Sequence, residues 1–135
     1  MKKNEIWLKL APFLWMSIIF YFSHQSHFKI LGPAIPGRDK IIHACIYFIL
    51  GGLLVLALPP RSVSFWIAGL AGMFYGISDE FHQAFIPGRC FEIADMVADT
   101  AGAFLGAFLF HRYRINTKSF ALKLNSSLKE PDKKE

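Results

Sequence analysis

Charge is scarce in the middle of this sequence. Lys and Arg gather at the first residues and after His111, and most of what lies between is apolar. Cysteine is nearly absent, limited to Cys45 and Cys90. No basic module of a nucleic-acid-binding class is visible, and the basic residues flank apolar segments instead of spreading over a folded face. A formal charge of +5 therefore does not point to nucleic acid. The first helix also lacks a small-x-small cleavage site: Lys9 interrupts its apolar run, which continues to Phe22 and meets Ser23-His24-Gln25-Ser26. That pattern reads as a retained membrane helix, not a cleaved signal peptide.

What is present is apolar surface in excess. Of 135 residues, 53% are hydrophobic, and the mean hydropathy is +0.34. A soluble domain of this size exposes too much surface to hide so many aliphatic and aromatic side chains. Four stretches approach the roughly 20 apolar residues that a bilayer-crossing helix needs: Ile6 to Phe22, Ile41 to Leu58, Val63 to Phe85 and Ile93 to Phe110. Each must be helical, because unpaired backbone groups in hydrocarbon cost several kcal/mol. The expected fold class is all-α, a polytopic membrane protein built as a four-helix transmembrane bundle. Its membrane domain spans residues 1–111, and a basic, flexible cytoplasmic tail spans 112–135. The short connections Pro59 to Ser62 and Pro87 to Glu92 make helices two, three and four antiparallel neighbours.

Four spans put both termini on one side. Lys29, Arg38, Lys40 and Arg89 then lie opposite the more numerous remaining Lys and Arg. The positive-inside rule places both termini in the cytoplasm and loops one and three outside. Gly72 with Gly76, and Gly102 with Gly106, have the small-xxx-small spacing that lets helices approach closely.

Against this apolar background the polar residues form a pattern. Asp39, His43 and Tyr47 recur every fourth residue and share one stripe of helix two, with Lys40 beside Asp39. Asp79 and Gln83 share a face of helix three; Glu80 points away from it unless it reaches the loop. Asp95 and Asp99 are again four apart on helix four, and Arg89 stands in the connecting loop. At 1.5 Å of rise per residue, all fall in the outer third of the membrane. Carboxylates within a span are costly, and they generally pair and mark function.

These residue types suit three chemistries. Asp79, Glu80 and His43 are the candidate catalytic acid/base groups. Arg89, Lys40, Gln83, Tyr47, Asp39 and Asp95 are candidates for substrate binding, with Arg89 and Lys40 matched to an anionic head group. Asp79, Glu80, His43 and Asp95 also offer oxygen and imidazole donors for a divalent metal such as Mg, Mn or Zn, although no HExxH spacing supports it. A purely structural ion-pair network of Asp with Arg or Lys is the plain alternative. Cys45 and Cys90 could meet on the oxidising side, but two cysteines in a membrane chain more often stay free. His24, His27 and His111, in interfacial or loop segments, are given no role, and His82 only accompanies the cluster.

The blocks Asp39-Lys40-Ile41-Ile42-His43 with Tyr47, Ser78-Asp79-Glu80-Phe81-His82-Gln83, Pro87-Gly88-Arg89, and Asp95 with Gly102 resemble the VanZ-like family. Ser23, Gln25 and Ser26 join the resemblance, which covers Ile6 to His111. Asp99 departs from it, since that position is commonly Asn. The resemblance implies a small multi-pass protein of the bacterial envelope, with a founding member that lowers sensitivity to the lipid-bearing glycopeptide teicoplanin. The expected partner is a membrane lipid or lipid-linked envelope component. A non-catalytic binding or interaction protein, and a proton-coupled transporter, are the competing classes.

Overall fold

The computed structural model describes residues 3–26, 36–62 and 64–129. These form four helices: α1 Lys3–Ser23, α2 Arg38–Ala57, α3 Ser64–Gln83 and α4 Ile93–Lys129. No strand occurs among the described residues. The four apolar runs thus become four helices in the expected order. His27 and Lys29, assigned above to the first loop, lie outside the described residues.

Two boundaries differ from expectation. Helix α3 ends at Gln83, because Pro87 and Gly88 follow and the chain turns through Phe85, Ile86 and Arg89. Gly88 takes a left-handed φ of 85° there, a conformation that glycine accepts without a Cβ penalty. Helix α4 runs past Phe110, the end of the apolar run, to Lys129. His111 is accordingly not a loop residue. It is buried within α4 and packs against the Phe65 ring, with centroids 5.8 Å apart.

Among the described residues, three helices, α1, α2 and α4, are long and apolar enough to cross a membrane. The chain is therefore an integral, multi-pass membrane protein. Helix α3 has 20 residues, but Asp79, Glu80, His82 and Gln83 crowd its last turns and dilute its apolarity. Large apolar side chains face outward all around the bundle, among them Trp7, Phe13, Leu14, Phe74, Val97 and Leu105. Surface of that extent needs lipid or another apolar partner.

The internal core is thin and is built by close backbone approach. A Cβ on Gly102 would run into the Ala44 backbone, one on Gly106 into the Phe48 backbone, and one on Gly51 into that of Ala103. Helices α2 and α4 are thus joined along a glycine seam. Gly72 and Gly76 do the same for α3 against α4, where added Cβ atoms would sit 2.6 Å from the Ala103 Cβ and 2.9 Å from the Asp99 Cβ. Both small-residue spacings in the sequence therefore sit at helix contacts. Tyr47, Leu50 and Ile19 fill one end of the core with Ala103, and Val55, Ala68 and Ala107 the other.

Side chains fasten the ends. Arg114 on α4 donates to the carbonyls of Val55 at 2.7 Å and Leu58 at 2.6 Å, satisfying carbonyls that the end of α2 leaves open. Midway along its length, helix α1 is held where Trp15 Nε1 donates to the Ile46 carbonyl at 3.0 Å and the Tyr75 hydroxyl to the Met16 carbonyl at 2.6 Å.

Candidate functional site

The polar stripes of α2, α3 and α4 converge at one end of the bundle, because the glycine seams bring these helices together with their charged turns at the same height. Three linked groups result. In the first, Lys40 pairs with Asp39 at 2.7 Å, with Asp95 at 2.8 Å and with Glu92. One ammonium thus holds three carboxylates from the start of α2, the loop before α4 and the first turn of α4.

The second group lies one turn deeper. His43 Nδ1 is 3.0 Å from Asp99 Oδ1, and this carboxylate is fully buried. Glu80 is also fully buried. It does reach the loop, where its Oε2 accepts the Glu92 backbone N–H at 3.1 Å. Its other oxygen, Oε1, has no partner. The third group centres on Asp79, whose Oδ2 accepts from the Ser23 hydroxyl at 2.7 Å and from Gln83 Nε2 at 3.0 Å. The i, i+4 pairing of Asp79 with Gln83 is as the helical spacing predicts. Asp79 Oδ1, Asp99 Oδ2 and the Tyr47 hydroxyl are buried without partners. Such groups carry a desolvation cost of about 1–3 kcal/mol each when nothing bonds them.

Beside these groups is a cavity of about 540 Å³. Trp15, Ile18, Ile19 and Phe22 of α1 face Ile42 and Ile46 of α2 across its apolar part. Its polar part is lined by Ser23, Asp39, His43, Tyr47, Asp79, Gln83, Arg89, Glu92 and Asp95. Ile18 and Phe22 also reach the outer surface of α1. The cavity thus has an apolar side flank as well as a polar end.

Seven of the sequence-derived candidates line this one space: Asp39, His43, Tyr47, Asp79, Gln83, Arg89 and Asp95. Glu80 and Lys40 do not line it. Glu80 stands behind it, and Lys40 bridges three acids at its rim. Arg89 is placed differently from a free anion clamp. Its guanidinium donates to the Phe22 carbonyl at 3.0 Å and its Nε to the Gln25 carbonyl at 3.2 Å, tying the α3–α4 loop to the end of α1.

Sequence reasoning passed over Glu92, read as a loop residue, and left Asp99 without a partner. The signal for Asp99 was its i, i+4 relation to Asp95, which places it one turn below, level with His43 across the seam. His24 and His82 also meet, with ring nitrogens 3.2 Å apart and Phe20 stacked on His82. Cys45 and Cys90 are both free and exposed.

Among the described residues, two groups of three donors lie close enough to hold a metal: Asp39, Glu92 and Asp95, and His43, Glu80 and Asp95. The first surrounds the Lys40 ammonium, so a cation already sits among its carboxylates. Asp79, counted among the possible donors from sequence, belongs to neither.

A helical membrane protein with a charged cluster drawn from three helices, set at the polar end of a cavity with an apolar flank, defines the class. A VanZ/LLP1 family model matches residues 2–115, and the chain belongs to that family. An uncharacterized protein of Schizosaccharomyces pombe is 31% identical over 86 residues, covering 60% of this chain. The chain matches about half of that relative's length, 53%. No solved structure matches the chain.

Proposed function

We propose that this protein binds a membrane lipid or lipid-linked envelope component, with the acyl chain against the α1–α2 wall and the head group at the polar end. The observation that carries this reading is the two-part lining of the cavity. Trp15, Ile18, Ile19, Phe22, Ile42 and Ile46 offer apolar surface to a chain, and the polar side chains adjoin it directly. Pockets of roughly 300–1,000 Å³ with a few convergent polar groups are the usual form of a small-ligand site. Arg89, Gln83, Tyr47, Asp39 and Asp95 are the head-group residues in this reading, with Lys40 at the rim.

The same reading makes α3 the fourth span. Its 20 residues cover about 30 Å at 1.5 Å each, the thickness of the hydrocarbon core. The host membrane is then the bacterial cytoplasmic membrane, with both termini inside, the cavity toward the outer leaflet, and the basic segment after His111 against anionic lipid. Binding a lipid-linked wall component there would alter how teicoplanin, itself lipid-bearing, engages the envelope.

A second reading, catalysis on the bound head group, is favoured by the unpartnered oxygens of Asp79 and Glu80. Each carboxylate is fixed through one oxygen and has the other without a partner, with His43 as the acid/base companion. The test compares membrane lipids and lipid-linked wall precursors from cells carrying no copy, the wild-type chain, Glu80→Gln or Asp79→Asn at matched levels. A species that changes with wild type and reverts in the variants supports catalysis and names the substrate class. An unchanged profile, with a lipid still co-purifying with the wild-type chain, leaves binding as the function. No change and no co-purifying lipid overturns both.

A further inference from the structure

We infer that His43, Glu80 and Asp95 form a binding site for a divalent transition-metal ion, with Asp99 as the positioning residue that orients His43. The three residues come from α2, α3 and α4, and one donor atom from each lies within 4.8 Å of the other two. Metal–donor bonds of about 2.0–2.2 Å to imidazole nitrogen and carboxylate oxygen hold donors at a separation that small side-chain shifts produce from this triangle.

Two independent observations set this group apart from an ordinary acidic cluster. Glu80 is fully buried, and its Oε1 has no hydrogen-bond partner, although its Oε2 is held by the Glu92 N–H. A buried carboxylate oxygen left in that state is costly unless something positive meets it. The second observation is the His43–Asp99 contact. Nδ1 of His43 is engaged by the buried Asp99 carboxylate at 3.0 Å, so Nε2 is the nitrogen left for a ligand. A carboxylate on the far nitrogen is the usual way a metal-binding histidine has its tautomer and ring orientation fixed.

The donor set also states the class of ion. One imidazole with two carboxylates suits zinc or manganese better than magnesium, which prefers oxygen and retained water. Asp95 is shared with the neighbouring group, since its Oδ1 lies 2.8 Å from the Lys40 ammonium. His43 and Asp95 line the cavity and Glu80 closes the site from behind. Three protein donors leave coordination positions open, and the lining donors turn those positions toward the cavity, where an anionic oxygen of a head group would complete the shell.

The test uses the full chain in lipid nanodiscs, freed of metal by chelation and titrated with Mn²⁺ while the free-ion electron paramagnetic resonance signal is followed, with Zn²⁺ as competitor. The expected result is saturable binding of about one ion per chain, displaced by Zn²⁺, with a nitrogen coupling from imidazole in the pulsed spectrum. Glu80→Gln and His43→Gln each weaken binding at least about tenfold. Asp99→Ala weakens it by about 10- to 100-fold and reduces the nitrogen coupling, the scale seen for outer-shell partners, while Asp99→Asn, which keeps an acceptor for Nδ1–H, recovers most of it. Asp39→Asn, which removes a carboxylate of the neighbouring group around Lys40 and none of the three donors, weakens binding less than Glu80→Gln does. Absence of saturable binding by the wild-type chain up to millimolar Mn²⁺ overturns the proposal. So does a bound ion without nitrogen coupling, or one whose affinity depends on Asp39 and not on Glu80. The wild-type spectrum decides the matter even where a variant fails to fold. No lipid ligand enters the measurement, so its failure leaves the lipid-binding reading standing, and a failure of that reading leaves the metal site standing.

Discussion

His43 and Asp99 link α2 to α4, Nδ1 to Oδ1 at 3.0 Å, at the level where Gly76 brings α3 against Asp99 and Tyr47. The Asp99 carboxylate is fully buried, and a Cβ on Gly76 would sit 3.2 Å from its Oδ2 and 3.2 Å from Tyr47 Cε1. Three helices therefore share one polar junction. In a double-mutant cycle of His43→Phe and Asp99→Ala, read by SDS-titrated unfolding in mixed micelles, the pair should show a coupling of about 1–3 kcal/mol, the range for a charge-assisted hydrogen bond. Additive single effects would mean that the contact contributes nothing specific.

The glycine seam makes a sharper prediction. Gly102 and Gly106 face the backbones of Ala44 and Phe48 with no room for a methyl group. Gly106→Ala should destabilise the bundle by about 1–3 kcal/mol, as overpacking does elsewhere, and Gly102→Leu should prevent a folded bundle altogether. Ala101→Leu, on the exposed side of the same helix, should be neutral. Limited proteolysis in detergent distinguishes the three, and equal sensitivity would remove the seam as the basis of α2–α4 packing.

Arg114 was invisible as a structural residue in the sequence, where it is one of many basic residues after His111. Its guanidinium reaches across to the end of α2 and bonds the Val55 and Leu58 carbonyls, with a longer bond of 3.4 Å to Leu56. Arg114→Lys replaces a planar fork by a single point of donation. It should speed amide hydrogen exchange at the end of α2 and cost about 1–2 kcal/mol. Exchange unchanged from wild type would show that these carbonyls need no cap.

Much of this architecture is legible in the sequence because lipid simplifies the code. Apolar runs must be helices, their breaks must be loops, and i, i+4 polar spacing fixes which side chains share a face, as for Asp79 with Gln83. What sequence could not supply is which stripes meet across helices. Asp39 and Asp95 belong together only because Lys40 lies between α2 and α4, and Glu80 reaches the site only because the loop folds back to place the Glu92 N–H over it. Arg89 illustrates the same limit: its charge suggested an anion clamp, and the fold also uses its donors to tie a loop to α1. The end of α4 was missed for a different reason. Hydropathy reports where lipid ends, and a helix needs no such boundary.

The proposed orientation can be tested on the native cysteines. Cys90 is exposed in the α3–α4 loop, and Cys45 is exposed on α2, five residues beyond Lys40. With both termini in the cytoplasm, Cys90 faces outward and should react with a membrane-impermeant maleimide in intact cells, using Cys45→Ser as background. Cys45, facing lipid, should react slowly in the reciprocal Cys90→Ser chain. Labelling of Cys90 only after permeabilisation would invert the topology and place the cavity toward the cytoplasm.

The cavity itself offers the last test, because its two parts can be altered separately. Ile46 lies on the apolar side and is half-buried. Ile46→Trp would fill that side without touching the ion pairs around Lys40 or the His43–Asp99 contact. If a lipid chain occupies the space, native mass spectrometry of the purified chain should show the co-purifying lipid reduced at least about fivefold in Ile46→Trp, with Mn²⁺ binding unchanged. Glu80→Gln should give the opposite pattern, losing the metal while retaining apolar occupancy. If Ile46→Trp keeps its lipid, the acyl chain does not use this wall, and the polar end must then recognise a ligand whose apolar part stays in the bilayer. The apolar faces of Trp15 and Ile19 would in that case serve only to pack α1 against α2, a role already supported by the Trp15 bond to the Ile46 carbonyl.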